Sequence, residues 1–77
     1  MGILSAGAHS GIEPMTHRGE EVCYVLAGSI RYRIDDKTYD LGPGDYLQFK
    51  SDIQHQWENV HPGESRVLWM FSDGLSF

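Results

Sequence analysis

Apolar and polar residues alternate along most of this chain with a period of two. Ile30, Tyr32 and Ile34 fall on one side of a stretch whose other side carries Arg31 and Arg33. That is the pattern of a strand with one solvated face. Leu47 and Phe49 alternate in the same way against Tyr46 and Gln48 across residues 46–50. Residues 21–27 are rich in Val, Tyr and Leu and stop at Gly28, which predicts another strand. Residues 66–71 run Val67, Leu68, Trp69, Met70, Phe71 after one arginine, and a continuous apolar run predicts a strand buried on both sides. Shorter strands are expected within residues 2–7, over 38–41 and over 55–60. Between them lie turn signals. Residues 8–14 contain Gly11 and Pro14 and read as a loop. Asp35-Asp36 suits a hairpin. In Gly42-Pro43-Gly44-Asp45, Pro43 presets φ and Gly44 supplies positive φ, as a type II turn requires. Ser51-Asp52 and the stretch from His61 to Glu64 mark two more breaks, and Gly74 is expected to loosen the tail. No segment shows a helical period, and there is no repeat or linker. About seven short strands separated by turns predict an all-β fold, a small antiparallel sandwich or jelly-roll barrel.

Length bounds the picture. Seventy-seven residues make a single domain, 1–77. A chain this short buries only roughly 60–65% of its unfolded surface, so a bound metal or self-association would add needed stability. Exposed sheet edges also favour pairing, and a homodimer is expected. The net charge of −5, with six scattered basic residues, excludes nucleic-acid binding by this chain, since phosphate contacts need clustered Lys and Arg. Cys23 is the single cysteine, so no internal disulfide can form, which fits a reducing cytoplasm. No signal peptide is expected, and no apolar run approaches the ~20 residues of a membrane span.

The chemistry concentrates in two places. His17 and Glu21 flank the turn Arg18-Gly19-Glu20, and His55 follows much later. If that turn folds back, His17 and Glu21 face one cavity. Two imidazoles and a carboxylate form a three-ligand set with open positions, suited to a divalent ion such as Fe(II), Mn, Ni or Zn. The plain alternative is a hydrogen-bonded polar cluster without metal. Around this set, Met15, Cys23, Trp57 and Tyr46 are candidate pocket residues for a small-molecule ligand. Met15 is a soft donor or simple packing, and Cys23 shares strand parity with Glu21 but otherwise reads as a small buried hydrophobe. Trp57 shares parity with His55 and either walls the pocket or packs in the core. Tyr46, like Tyr24, Tyr32 and Tyr39, could offer a hydroxyl, though tyrosines are common in strands for packing reasons. His9 and His61 read as exposed bystanders. Arg31 and Arg33 read as a solvated face, with recognition of an anion as the functional alternative.

These residues carry a resemblance to the cupins, small jelly-roll barrels. The first cupin motif is two histidines one residue apart, a glutamate three or four residues on, and a glycine after six more. His17, Glu21 and Gly28 match it, and Met15 stands where the first histidine belongs. The second motif matches at Gly44-Asp45, His55 and Asn59, with Gln54 in place of its proline. The stretch from His17 to Gly28 and the ending Arg66-Val67-Leu68-Trp69 are most similar to the C-terminal cupin domains of XRE-type helix-turn-helix regulators, whose DNA-binding half has no counterpart here. The first strands of a larger cupin are also missing. The resemblance implies a metal- or ligand-binding sensor module. Its alternatives are a metal-dependent enzyme of dioxygenase or isomerase type and a metal-free domain that mainly dimerises. The missing histidine weakens the enzyme reading, and the retained motif residues weaken the structural one.

Overall fold

The computed structural model describes residues 1–72, so the loose tail expected at Gly74 lies outside them. Seven strands follow one another: β1 (Gly2–Leu4), β2 (Glu20–Ala27), β3 (Ile30–Ile34), β4 (Lys37–Leu41), β5 (Tyr46–Lys50), β6 (His55–Glu58) and β7 (Ser65–Ser72). They form two antiparallel sheets, ordered β1-β7-β2-β5 and β4-β3-β6. No helix occurs among the described residues.

The turns obey their residues. Ile34 pairs with Lys37 across the Asp35-Asp36 turn, and Asp35 sits at φ 56°, the left-handed conformation that primed hairpin turns need at their first position. Gly44 sits at φ 87°, and Asp45 N–H donates to the Gly42 carbonyl at 3.0 Å, as the proline-glycine pair predicts. Gly28 reverses the chain from β2 to β3 at φ 78°. A Cβ there would lie 2.8 Å from Ser65 Cα, so both conformation and space demand glycine.

Leu4, Cys23, Val25, Ile30, Tyr32 and Val67 form the buried core between the sheets, with Leu47, Phe49, Trp57 and Trp69 packed against it. One end is closed by Asn59, which is 2% exposed. Its amide donates to the carbonyls of Leu4, Ser5 and Gly63, and its oxygen accepts from His61 N–H and the Ser65 hydroxyl. This motif residue is therefore a structural tie between the two ends of the chain. It also ends β6 at Glu58, short of the expected residue 60, by turning the backbone into that network. β1 likewise stops at Leu4, before the expected residue 7.

One expectation fails. The strand predicted as buried on both sides alternates: Ser65 and Val67 are buried, while Leu68 is 38% and Met70 52% exposed. Two sheets stacked face to face cover only one side of each, and nothing in the described chain covers the outer side of β7.

Candidate metal centre

Three elements deliver the expected donors. His17 stands in the loop before β2, tied down because its N–H donates to the Ser51 carbonyl at 2.9 Å while Ser51 N–H donates to the Gly19 carbonyl at 2.9 Å. Glu21 is the second residue of β2, and His55 opens β6 on the opposite sheet. His17 Nε2 lies 3.3 Å and His55 Nε2 3.5 Å from Glu21 Oε1. One ligand atom from each of the three residues falls within 4.8 Å of the others. His55 and Glu21 are buried, whereas the His17 side chain is 39% exposed, so the cluster opens to solvent on the His17 side. The imidazoles meet edge to face at 5.0 Å, and Phe49 and Phe71 flank them, at 4.9 Å from His55 and 5.9 Å from His17.

The hydrogen bonds fix which atoms are offered. His55 Nδ1 lies 2.8 Å from the Ile53 carbonyl, which can only accept, so Nδ1 carries the proton of the neutral ring. Nε2 is then a bare lone pair. It is buried, has no hydrogen-bond partner, and points at a carboxylate oxygen. Two lone pairs facing each other in a buried site repel, and a cation between them reverses the sign. A proton on Nε2 would do so; a second imidazole nitrogen beside the same oxygen suits a metal ion better. The donor set therefore fits the group it predicts. Ser51 Oγ is a second buried polar atom without a partner among the described residues, and nothing in its surroundings explains it.

Glu21 is oriented from behind. Trp69 Nε1–H donates to the Tyr32 hydroxyl at 2.7 Å, and that hydroxyl donates to Glu21 Oε2 at 2.7 Å. The relay occupies one carboxylate oxygen and leaves Oε1 for the histidines, the arrangement that holds metal-binding carboxylates in place. Burial, with the charges of Cys23 and Glu21 adding to it, pushes the Tyr32 phenol well above its ordinary range, so it remains a donor. The sequence offers Tyr32 only as one of four tyrosines whose hydroxyls could serve a ligand, and gives Trp69 no role in the site. The available signal was Tyr32 on the inward face with Ile30 and Ile34, because a hydroxyl in that row needs a polar partner.

The four pocket candidates part company. Met15 pairs with His55 in an isolated bridge, with backbone hydrogen bonds of 2.8 and 3.0 Å in both directions. Directly opposed residues project their side chains from the same face, so Met15 rises beside His55 where the motif's first histidine would. Cys23 is fully buried. Burial chiefly raises its thiol to about 11, so it is no nucleophile at neutral pH. Trp57 is half-buried and its ring packs 5.2 Å from that of Trp69, a core contact. Tyr46 is 64% exposed on the outer face of β5, opposite Tyr24, and cannot reach the interior. Leu47 and Phe49 took the inward parity of that strand.

Over residues 3–71 the sequence matches the Cupin_2 family of cupin domains. The chain belongs to the cupins. No curated protein matches its sequence. Solved structures share its fold. A conserved protein of unknown function from Streptococcus pyogenes is 20% identical, with a TM-score of 0.84 over 96% of this chain and 61% of its own. The Cupin_2 domain of an XRE family transcriptional regulator from Enterobacter cloacae is 26% identical, with a TM-score of 0.76 over 87% of this chain and 70% of its own. A predicted oxalate decarboxylase from Thermotoga maritima is also 26% identical, with a TM-score of 0.75 over 87% and 57%. This cupin thus spans about six tenths of the Streptococcus and Thermotoga proteins.

Proposed function

We propose that this cupin is a small-molecule sensor module, one domain over residues 1–77, whose His17, Glu21 and His55 hold a divalent metal ion such as Fe, Mn, Ni or Zn. The observation that carries the reading is the bare His55 Nε2, buried and aimed at a carboxylate oxygen. A metal bound there would offer a Lewis-acidic coordination point to an oxygen- or nitrogen-bearing ligand entering past His17. The resemblance to the regulator's cupin domain favours effector binding over turnover, with DNA contact left to other chains. The buried free thiol of Cys23 suits a cytoplasmic protein; no helix among the described residues is long and apolar enough to cross a membrane. An enzyme reading draws on the cluster's solvent-open side and on the fold shared with the predicted decarboxylase.

The experiment is a thermal titration with Ni(II), Zn(II) or anaerobic Fe(II). Metal at 100 times its Kd stabilises by about 2.7 kcal/mol, worth roughly 10–20 °C in a domain this small. His55→Ala should abolish that gain. His17→Ala, at the exposed ligand, should reduce it with little effect on the metal-free midpoint. An equal metal-induced shift in both variants and the parent would overturn the assignment.

The same module is proposed to work as a homodimer. Ile3, Tyr24, Leu26, Tyr46, Leu68 and Met70 all lie on the outer face of the four-stranded sheet, between 37% and 64% exposed. Tyr24 is in register with both Leu68 and Tyr46, so the rows are continuous. Such side chains expose on the order of 500 Å² in one patch, near the upper limit for a monomer and most of the roughly 800 Å² per partner of a stable interface. A second copy presents the same apolar rows, with Arg66 beside Ile3 as the charge at their edge. Light scattering should give a dimer at micromolar concentration and a monomer for Leu68→Glu; a monomeric parent rules the dimer out.

A further inference from the structure

The loop before the metal cluster is sewn to β6. Ser10 N–H donates to the Trp57 carbonyl and Trp57 N–H to Ser10 Oγ, each at 3.0 Å. Gln56 Nε2 donates to the Ile12 carbonyl at 2.7 Å, and His9 bridges to Glu58. The loop becomes a raised lip, and between it and the outer face of the β4-β3-β6 sheet lies a cleft of about 270 Å³. Its floor is the solvated side of β3: Arg33 opposite Gln56, and Arg31 opposite Glu58.

Charge in this cleft is unevenly matched. Asp40 grips Arg31 at 2.7 and 3.4 Å, and the Glu58 carboxylate acts on the same guanidinium. Arg33 has no ion pair among the described residues. An unmatched guanidinium in a concave site is a fork of donors waiting for a carboxylate. His9 adds one more donor, because its Nδ1 accepts from Gly11 N–H at 3.0 Å and the neutral ring then carries its proton on Nε2. On the lip, Ile12 is 91% exposed.

We propose that this cleft is a second ligand site, for a small organic monocarboxylate whose headgroup meets Arg33 and whose apolar body covers Ile12. Glu58 in the wall selects a monoanion, because a dianion would be repelled at close range. The site lies on the outer face of the sheet, away from His17, Glu21 and His55, and stands or falls independently of the metal reading.

The test is an NMR titration of the ¹⁵N-labelled full chain with sodium benzoate or hexanoate at constant ionic strength, repeated with inorganic phosphate. Saturable shifts are expected at Gly11, Ile12, Gln56 and the Arg33 Nε–H, with a Kd on the order of 1 mM, ordinary for so few ligand atoms. Arg33 is exposed, so Arg33→Gln should leave the fold intact and weaken binding at least about tenfold, with Arg33→Lys in between. Equal affinity in parent and R33Q, shifts confined to His17 and His55, or tighter binding of phosphate than of benzoate would each overturn the proposal. Running the same titration with Ni(II) present keeps it separable: the metal shift survives R33Q whatever the carboxylate does.

Discussion

Replacing Tyr32 by phenylalanine isolates the device that aims Glu21. The ring is fully buried, so its shape is kept and no cavity opens. What is lost is one oxygen and its two hydrogen bonds of 2.7 Å, one to a carboxylate and one from an indole. A bond to a charged group is worth about 1.5–3 kcal/mol, and an orphaned buried donor costs about 1–3 kcal/mol. Trp69 is only half-buried, so water recovers part of the second term. The net cost is about 2–4 kcal/mol, against a total stability of roughly 4–12 kcal/mol for a domain this size, so the variant folds but is weakened. Under the proposed metal reading it should also bind Ni(II) about 10–100 times more weakly, because Oε1 is no longer held toward the histidines. Trp69→Phe is the control: it removes the outer donor yet leaves Tyr32 on Glu21, so stability falls while metal affinity stays within a few-fold. Urea melts and calorimetric Ni(II) titrations read the two quantities separately. A folded Tyr32→Phe protein that binds Ni(II) as tightly as the parent refutes the positioning role.

Further outcomes rest on the backbone and the thiol. Gly28→Ala meets positive φ and the Ser65 backbone together, and should cost about 2–5 kcal/mol. Gly44→Ala has the same φ problem but open space around it, and should cost only about 1–2 kcal/mol; equal losses in urea unfolding would show that the Ser65 contact is unimportant. Cys23 should resist thiol reagents at pH 8 until the chain unfolds, and rapid labelling of the native protein would contradict its burial. Because its folded value is raised to about 11, the unfolded chain releases the thiol proton first, so stability is intact below about pH 9 and declines as pH rises toward 11. Cys23→Ala should remove that decline.

Much of the architecture could be read from residue order alone. Alternation placed Ile30, Tyr32 and Ile34 inward and Arg31 and Arg33 outward, and both rows are where the structure has them. Turn chemistry set the breaks, since Gly28 and Gly44 take up conformations that other residues resist and Pro43 fixes the approach to one of them. The same local rules misjudged β7. A run of five apolar residues looks identical whether a second layer covers it or solvent does, and only the layer count separates the cases. Tyr46 failed as a pocket residue although its outward parity opposite Leu47 was already visible; a hydroxyl's chemistry does not say which face it is on.

Residue types and spacing determined that His17, Glu21 and His55 were the donors worth watching, because motif and strand parity are properties of the chain itself. Tertiary structure alone decided that they meet. Glu21 and His55 stand on opposite sheets, and their approach to 3.5 Å depends on how the layers stack. The Trp69–Tyr32–Glu21 relay joins residues 37 and 11 positions apart. Ile53, whose carbonyl sets the His55 tautomer, has no signal in the sequence. Local periodicity fixes which way a side chain points, but the partner it finds is set by contacts between distant segments, and those form only when the whole sandwich closes.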